Sequence, residues 1–232
     1  MESFSLDREI ARLILLQRIE LITPFQKKIR KFFGRYFFTN FFSKYFINSE
    51  EIGKNYFKEM QEEYKLLSNY IDFQKKKFLS IGSGMCGLEL IINSKSSDFF
   101  FSIIEKNYVS KKIKYGWDQN NLEGYNDISK LNIFLQNNGM TKSRYTIYDF
   151  DHDNLPIEEF DYIISLYSLD YHYDFNLYID YFKKVLNESS ILIFDTIRPE
   201  YFFKLFNSVI IIESVQKNVH SSKRILCKGL RF

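Results

Sequence analysis

The apolar positions of this chain follow two different periods. Over roughly the first third they recur at helical spacing. Ile10, Leu13, Ile14, Ile19, Leu21 and Ile22 lie among Arg8, Arg12, Arg18 and Glu20, the pattern of a helix with one buried face. Pro24 marks a break or a new helix start. Ser49, followed by Glu50 and Glu51 and then by Tyr56, Phe57, Met60, Tyr64 and Leu67, predicts a further helix with Ser49 as its N-cap. From Phe78 onward the apolar runs are short, β-branched or aromatic, and bounded by glycine, proline or polar clusters, as buried strands are. This change of pattern divides the chain into a helical cap, residues 1–72, and a larger domain, residues 73–232.

Phe78 to Ile81 predicts the first strand and Phe99 to Ile104 the second, which ends in Glu105. After a loop around Gly116, Trp117 and Asp118, Asp127 to Asn137 reads as a helix closed by Gly139. Tyr145 to Asp149 is the third strand, and Pro156 stiffens the loop before the fourth, Phe160 to Leu166. A helix carrying Tyr178, Ile179, Tyr181, Phe182, Val185 and Leu186 leads to the fifth, ending at Asp195. Pro199 suits a helix start that Tyr201 to Phe206 continue, and Val209 to Ser214 and Arg224 to Leu230 are the last two strands. The first five strands alternate with helices, which predicts a parallel sheet covered on both faces. Too few residues join the last two for a crossover, so they should pair antiparallel.

Candidate chemistry gathers where the first strand ends. Gly82 and Gly84 let the backbone turn tightly and approach a ligand, and Gly87 lets the next helix pack against the strand. Glu105 follows Gly82 by about twenty residues, the spacing at which an acid at the tip of the second strand accepts hydrogen bonds from ribose hydroxyls. A ribose-bearing cofactor is implied.

Composition changes this picture little. The 25 Phe and 17 Tyr, with abundant Ile, Lys and Asn, fit AT-rich codon usage better than an aromatic-stacking function. A net charge of +3, from 32 basic and 29 acidic residues, calls for neither nucleic acid nor an anionic membrane as partner. Only two cysteines occur, Cys86 and Cys227, which leaves no disulfide framework or Cys-rich zinc site. No apolar run reaches the ~18 residues of a membrane span, so the expected compartment is the reducing cytoplasm. Lys27 to Phe46 stands apart, with aromatic clusters set between basic residues. It is open to three readings: a membrane-surface helix, a nucleic-acid patch, or an amphipathic helix packing its Phe face onto the following domain. The last is the simplest.

In this order of motifs, residues 75–232 resemble the class I S-adenosylmethionine-dependent methyltransferases. The likeness rests on the glycine turn, on Glu105, on Asp149 with Phe150 after the third strand, on Ser165-Leu166-Tyr167 after the fourth, and on the terminal hairpin. It implies a Rossmann-like α/β fold: a seven-stranded, mostly parallel sheet with an antiparallel C-terminal hairpin, carrying the N-terminal helical cap. It implies S-adenosyl-L-methionine as cofactor, held by Gly82, Ser83, Gly84, Glu105, Asp149, Phe150, Ser165 and Leu166. Glu105 would hold the ribose hydroxyls and Asp149 the adenine amino group, with Phe150 against the ring. Tyr115 to Gly139, with its GYND and FLQNNG, is further similar to bacterial sugar O-methyltransferases. Two positions depart: Ser80 stands where the family often has an acid, and Cys86 where it commonly has glycine.

The resulting expectation is an enzyme that methylates a hydroxyl of a small molecule, with sugars among the candidate acceptors. A hydroxyl acceptor needs a base, and His172, in Asp170-Tyr171-His172 after the fourth strand, is the candidate. Asp170, Asp174 and Asp195 are read as solvated acids rather than metal ligands. Gly82, Gly84 and Gly87 also complete G-x-G-x-x-G, which keeps an NAD(P)-dependent oxidoreductase open, against the terminal hairpin and a missing Tyr-x-x-x-Lys pair. Another group transfer from the same sulfonium cofactor, or a non-catalytic binding module on this fold, also stays open.

Overall fold

A computed structural model describes residues 2–96, 98–110, 124–171, 173–213 and 221–231. Helix α1, Arg8–Gln17, starts where the Asp7 carboxylate accepts the Ile10 N–H at 2.7 Å. Helix α2, Pro24–Phe37, opens on a reciprocal cap in which Thr23 N–H donates to Gln26 Oε1 and Gln26 N–H to Thr23 Oγ1. Gly34, at φ +84°, breaks α2 internally. A π-helical turn, Phe38–Phe42, then joins it to the short helix α3, Ser43–Tyr45. Helix α4 spans Ser49–Leu67, and its cap is Asn48, not Ser49. Asn48 has the extended backbone a cap requires, and its side chain accepts the N–H groups of Glu50 and Glu51.

Strands β1 (Lys77–Ile81), β2 (Phe100–Glu105), β3 (Tyr145–Asp149), β4 (Tyr162–Ser165), β5 (Ile191–Thr196), β6 (Phe206–Ile212) and β7 (Lys223–Leu230) form one sheet. Its order is β3-β2-β1-β4-β5-β7-β6. The first five strands run parallel, and β7 lies antiparallel between β5 and β6. Helices α5 (Gly87–Asn93), α6 (Ile128–Asn137), α7 (Ile179–Val185) and α8 (Pro199–Leu205) complete the α-helices among the described residues. Two strands differ from their expected bounds by more than one residue at an end. β4 is shorter, because the Phe160 and Asp161 N–H groups bond to Val185 and Lys77 outside the ladder. β6 starts at Phe206, directly off α8, so the chain passes from helix to strand without a loop; Ser214 lies outside the described residues.

The period-2 alternation of the strands builds two cores. Phe78, Phe101, Ile103, Tyr162, Ile164, Ile193 and Leu226 face one way, and Leu79, Ile104, Ile163, Leu192, Phe194 and Ile225 the other. The second face is covered by Phe182 and Val185 of α7 and Phe202 of α8. The first packs against Phe4, Ile10, Ile14, Tyr56, Phe57 and Met60, so the N-terminal helices share one core with the sheet.

One polar cluster crosses that core. Arg224 of β7 is fully buried; its Nε and Nη2 donate to the Asp195 carboxylate of β5 at 3.0 and 3.1 Å, and its Nη1 donates to Glu63 of α4. Removing one partner of a buried charge strands the other, which costs about 3–5 kcal/mol. Glu63→Ala is therefore expected to lower unfolding stability by about 3 kcal/mol in urea titration at neutral pH, the low end because Asp195 still holds Arg224. A loss within the ordinary surface range of about 0.5 kcal/mol would show that α4 is not tied to the sheet through this pair.

Candidate functional site

Parallel strand order reverses between β1 and β4, and open α/β sheets bind ligands outside the carboxyl ends of the strands at such a point. The glycine turn emerges there from β1. Gly82 and Gly84 have φ +61° and +63°, conformations that a side chain would strain. Cys86 adopts φ +55°, a left-handed conformation that glycine takes more readily, at the position where the resemblance expects glycine. Burial, with Glu89 and Glu105 nearby, pushes the Cys86 thiol up, so it is a packed side chain rather than a nucleophile.

The space beside each glycine is used by this chain itself. A Cβ on Gly82 would lie 2.0 Å from Ser168 Oγ, one on Gly84 2.4 Å from Gln17 Oε1, and one on Gly87 2.6 Å from the Tyr56 ring. Gly87 thus admits a residue of the helical cap rather than serving only helix–strand packing. The Tyr56 hydroxyl accepts the Gly87 N–H at 3.0 Å, and Gln17 Oε1 accepts the Met85 N–H at 3.1 Å. Gln17 Nε2 donates in turn to the Tyr125 carbonyl at 2.8 Å, and Asn126 Nδ2 donates to the Gly84 carbonyl at 2.8 Å.

Glu105 closes the turn from the side. It ends β2 opposite Asp149 of β3, is buried, and accepts the Gly84 N–H at 2.5 Å. Burial pushes its carboxyl up to about 8, against the hydrogen bonds of Asn126 and Gly84 that favour the charged form. Among the described residues no cation pairs with it. Ser80, at the family's acidic position, lies beside Glu89, a second buried carboxyl whose pKa burial also raises.

The other residues expected at the site, those outside the described residues excepted, have the following surroundings. The Phe150 N–H donates to the Glu105 carbonyl at 2.8 Å, and the Phe150 ring is half-exposed, 6.0 Å from that of Tyr178. Asp149 Oδ1 accepts the Asp151 N–H at 3.1 Å, stiffening the turn after β3. Ser83 Oγ lies 3.0 Å from Cys86 Sγ. Ser165 Oγ donates to the Ile81 carbonyl at 2.7 Å and accepts the Leu169 N–H at 2.9 Å, so this hydroxyl ties the ends of β1 and β4. Leu166 packs, partly buried, against the core that the N-terminal helices share. His172 lies outside the described residues.

Tyr167, which the resemblance names beside Ser165 and Leu166 without a role, comes next in the chain. At φ +59°, it donates its N–H to Asp195 and holds its ring between the guanidiniums of Arg18 and Arg224, 5.7 and 5.6 Å from their carbons. Its hydroxyl is buried with no partner among the described residues. Asp170 and Asp195, read from the sequence as solvated, are instead buried: Asp170 accepts Thr196 Oγ1 at 2.6 Å and the Arg198 fork, which Asp174 also accepts, and Asp195 holds Arg224. The three acids are thus matched by arginines.

The donor set fits a ribose. A buried carboxylate with no cation beside it is costly when ionised, and two hydroxyl donors from a diol satisfy it without a second charge.

No family model and no curated protein matches this sequence. Solved structures do. The mitomycin 7-O-methyltransferase MmcR is similar at 11% identity and a TM-score of 0.50, covering 77% of this chain and 55% of its own. A Nostoc punctiforme protein assigned to the O-methyltransferases is similar at 10% identity and a TM-score of 0.50, covering 76% of this chain and 61% of its own. The chain therefore spans little more than half the length of these neighbours. With the observed strand order, the likeness establishes that the chain has the class I S-adenosylmethionine-dependent methyltransferase fold.

The shift at Glu105 has a sign. Its folded pKa of about 8 lies above the ordinary 4.5, so the folded state holds the proton more tightly and the group's contribution to stability falls as pH rises between these values. Glu105→Gln, which cannot ionise, is expected to lose less stability than the wild type between about pH 5 and about pH 8, read from urea midpoints. Parallel pH profiles for the two proteins would place the Glu105 carboxyl in water.

Proposed function

We propose that this chain is a methyltransferase that uses S-adenosylmethionine to methylate a hydroxyl of a small molecule. The observation that carries the reading is Glu105, a buried carboxyl with no cation beside it among the described residues, closing a glycine turn at the strand-order reversal of this fold. S-adenosylmethionine, when bound, supplies a methyl group already activated on a sulfonium. What remains for the chain is placement and a base. Glu105 would accept the two ribose hydroxyls, with Phe150 at the tip of β3 against the adenine and Asp149 taking its amino group. Gly82, Ser83, Gly84, Ser165 and Leu166 would complete the residues that hold the cofactor.

His172 would take the acceptor's hydroxyl proton as the oxygen–carbon bond forms and the sulfur–carbon bond breaks. The loop that carries it is fixed at its base: Tyr171 and Tyr173 both donate N–H to the Ser168 carbonyl, and Ser168 stands against Gly82. A hydroxyl acceptor is supported by the O-methyltransferases among the structural neighbours. A sugar is the narrower candidate, from the likeness of Tyr115 to Gly139 noted above. The oxidoreductase alternative is disfavoured by the antiparallel β7 between β5 and β6.

Calorimetric titration with S-adenosylhomocysteine tests the cofactor. Saturable binding is expected, weakened about a hundredfold in Glu105→Ala, because two hydrogen bonds to a charged group contribute roughly 3 kcal/mol or more. No binding by the wild type, or equal binding by the variant, would end the reading. With an acceptor found by screening hydroxyl compounds, His172→Asn should lower kcat by roughly a hundredfold or more and leave S-adenosylhomocysteine affinity unchanged.

A further inference from the structure

The aromatic stretch of α2 and the turn after it does not pack as its simplest reading expects. Phe38 is buried and Ile29 and Phe42 are partly buried, but Phe25, Phe32, Phe33, Phe37, Phe41, Tyr45 and Phe46 are exposed. Phe32 has 82% and Phe25 69% of its surface open. The exposed rings from Phe32 to Tyr45 form one ridge: Phe32 to Phe33 and Phe33 to Phe37 are 4.9 Å apart, Phe37 to Phe41 5.2 Å, and Phe41 to Tyr45 5.3 Å. Spacings of four residues carry it past the break at Gly34.

Charge is segregated along the same stretch. Between Leu21 and Ser49 stand six basic residues and no acidic one, so the rest of the chain is net negative at −3 against a total of +3. Lys27, Lys28, Lys31 and Lys44 are exposed beside the ridge. Phenylalanine at the centre and lysine at the margin is the arrangement of a helix lying in a bilayer interface, the rings among acyl chains and the ammonium groups at anionic headgroups. No described helix is long and apolar enough to cross a membrane, so the contact would be peripheral.

We propose that this ridge docks the protein on the surface of an anionic lipid bilayer. Two other occupants fit less well. RNA bases need gaps between aromatic platforms, and these rings already contact one another. A second copy would set one basic, acid-free face against another and repel it. The docking does not depend on the methyl-transfer reading. It sets the site near the bilayer nonetheless, because α1, whose last residue Gln17 reaches the glycine turn, leads within a few residues into α2.

Sedimentation with vesicles tests it, using phosphatidylcholine mixed with phosphatidylglycerol, and phosphatidylcholine alone. The wild type should partition onto the mixed vesicles and far less onto the neutral ones. Each lysine at an anionic leaflet is worth about fivefold, so K27E/K28E/K31E should weaken binding by about a hundredfold or more. F32S/F33S, which removes exposed rings only, should also abolish it, with the circular dichroism of both variants matching the wild type. Absence of binding to the mixed vesicles overturns the proposal, as does binding that neither variant changes. So does a wild type that ultracentrifugation shows to be a dimer split by F32S/F33S, or one that binds single-stranded RNA through the same residues without binding vesicles.

Discussion

A guanidinium buried inside a sheet has no water to solvate it, so carboxylates must come to it, and that requirement at Arg224 organises much of this molecule. Asp195 lies across the β5–β7 ladder from it, and Glu63 reaches it from α4. One cation thereby couples the antiparallel strand, the parallel sheet and the helical cap. The same guanidinium and Arg18 hold the Tyr167 ring, and the Asp195 carboxylate that neutralises Arg224 also accepts the Tyr167 N–H. Arg18 in turn donates to Glu59 of α4. The conformation of the chain after β4, where a methyl acceptor would be handled, is set by charges whose partners lie in the cap.

The cap also completes the glycine turn. Gly84 and Gly87 leave space that Gln17 and Tyr56 occupy, each hydrogen-bonded to the backbone it covers. The site is thus a joint product of elements far apart in sequence, and the shared core of Phe4, Ile10, Tyr56, Phe78 and Phe101 gives it a rigid backing.

Where a local signal decided structure, the sequence was legible. The strands showed as short apolar runs with turn residues between them, and β3 and the start of α8 fall where pattern and proline put them. The place of Glu105 at the end of β2 beside the glycine turn was legible because it is a matter of spacing. Gln17 and Tyr56 were not, because nothing local distinguishes a glutamine ending a helix from one that reaches a turn far along the chain. Asp170 was misjudged for the same reason: its partner, Arg198, lies beyond the next strand. The Lys27 to Phe46 stretch was legible as amphipathic but not in its direction, since a helix with aromatics on several faces does not say which of them the fold will cover.

Burial raises the Glu105 carboxyl in the free protein, and a ribose bound there would favour its ionised form. Calorimetric titration with S-adenosylhomocysteine at about pH 6.5, in buffers of different ionisation enthalpy, measures this directly. With the free carboxyl near 8, binding should release close to one proton per ligand, and Glu105→Gln should release none. A binding enthalpy that is the same in every buffer for the wild type would contradict the ionisation of Glu105 on cofactor binding.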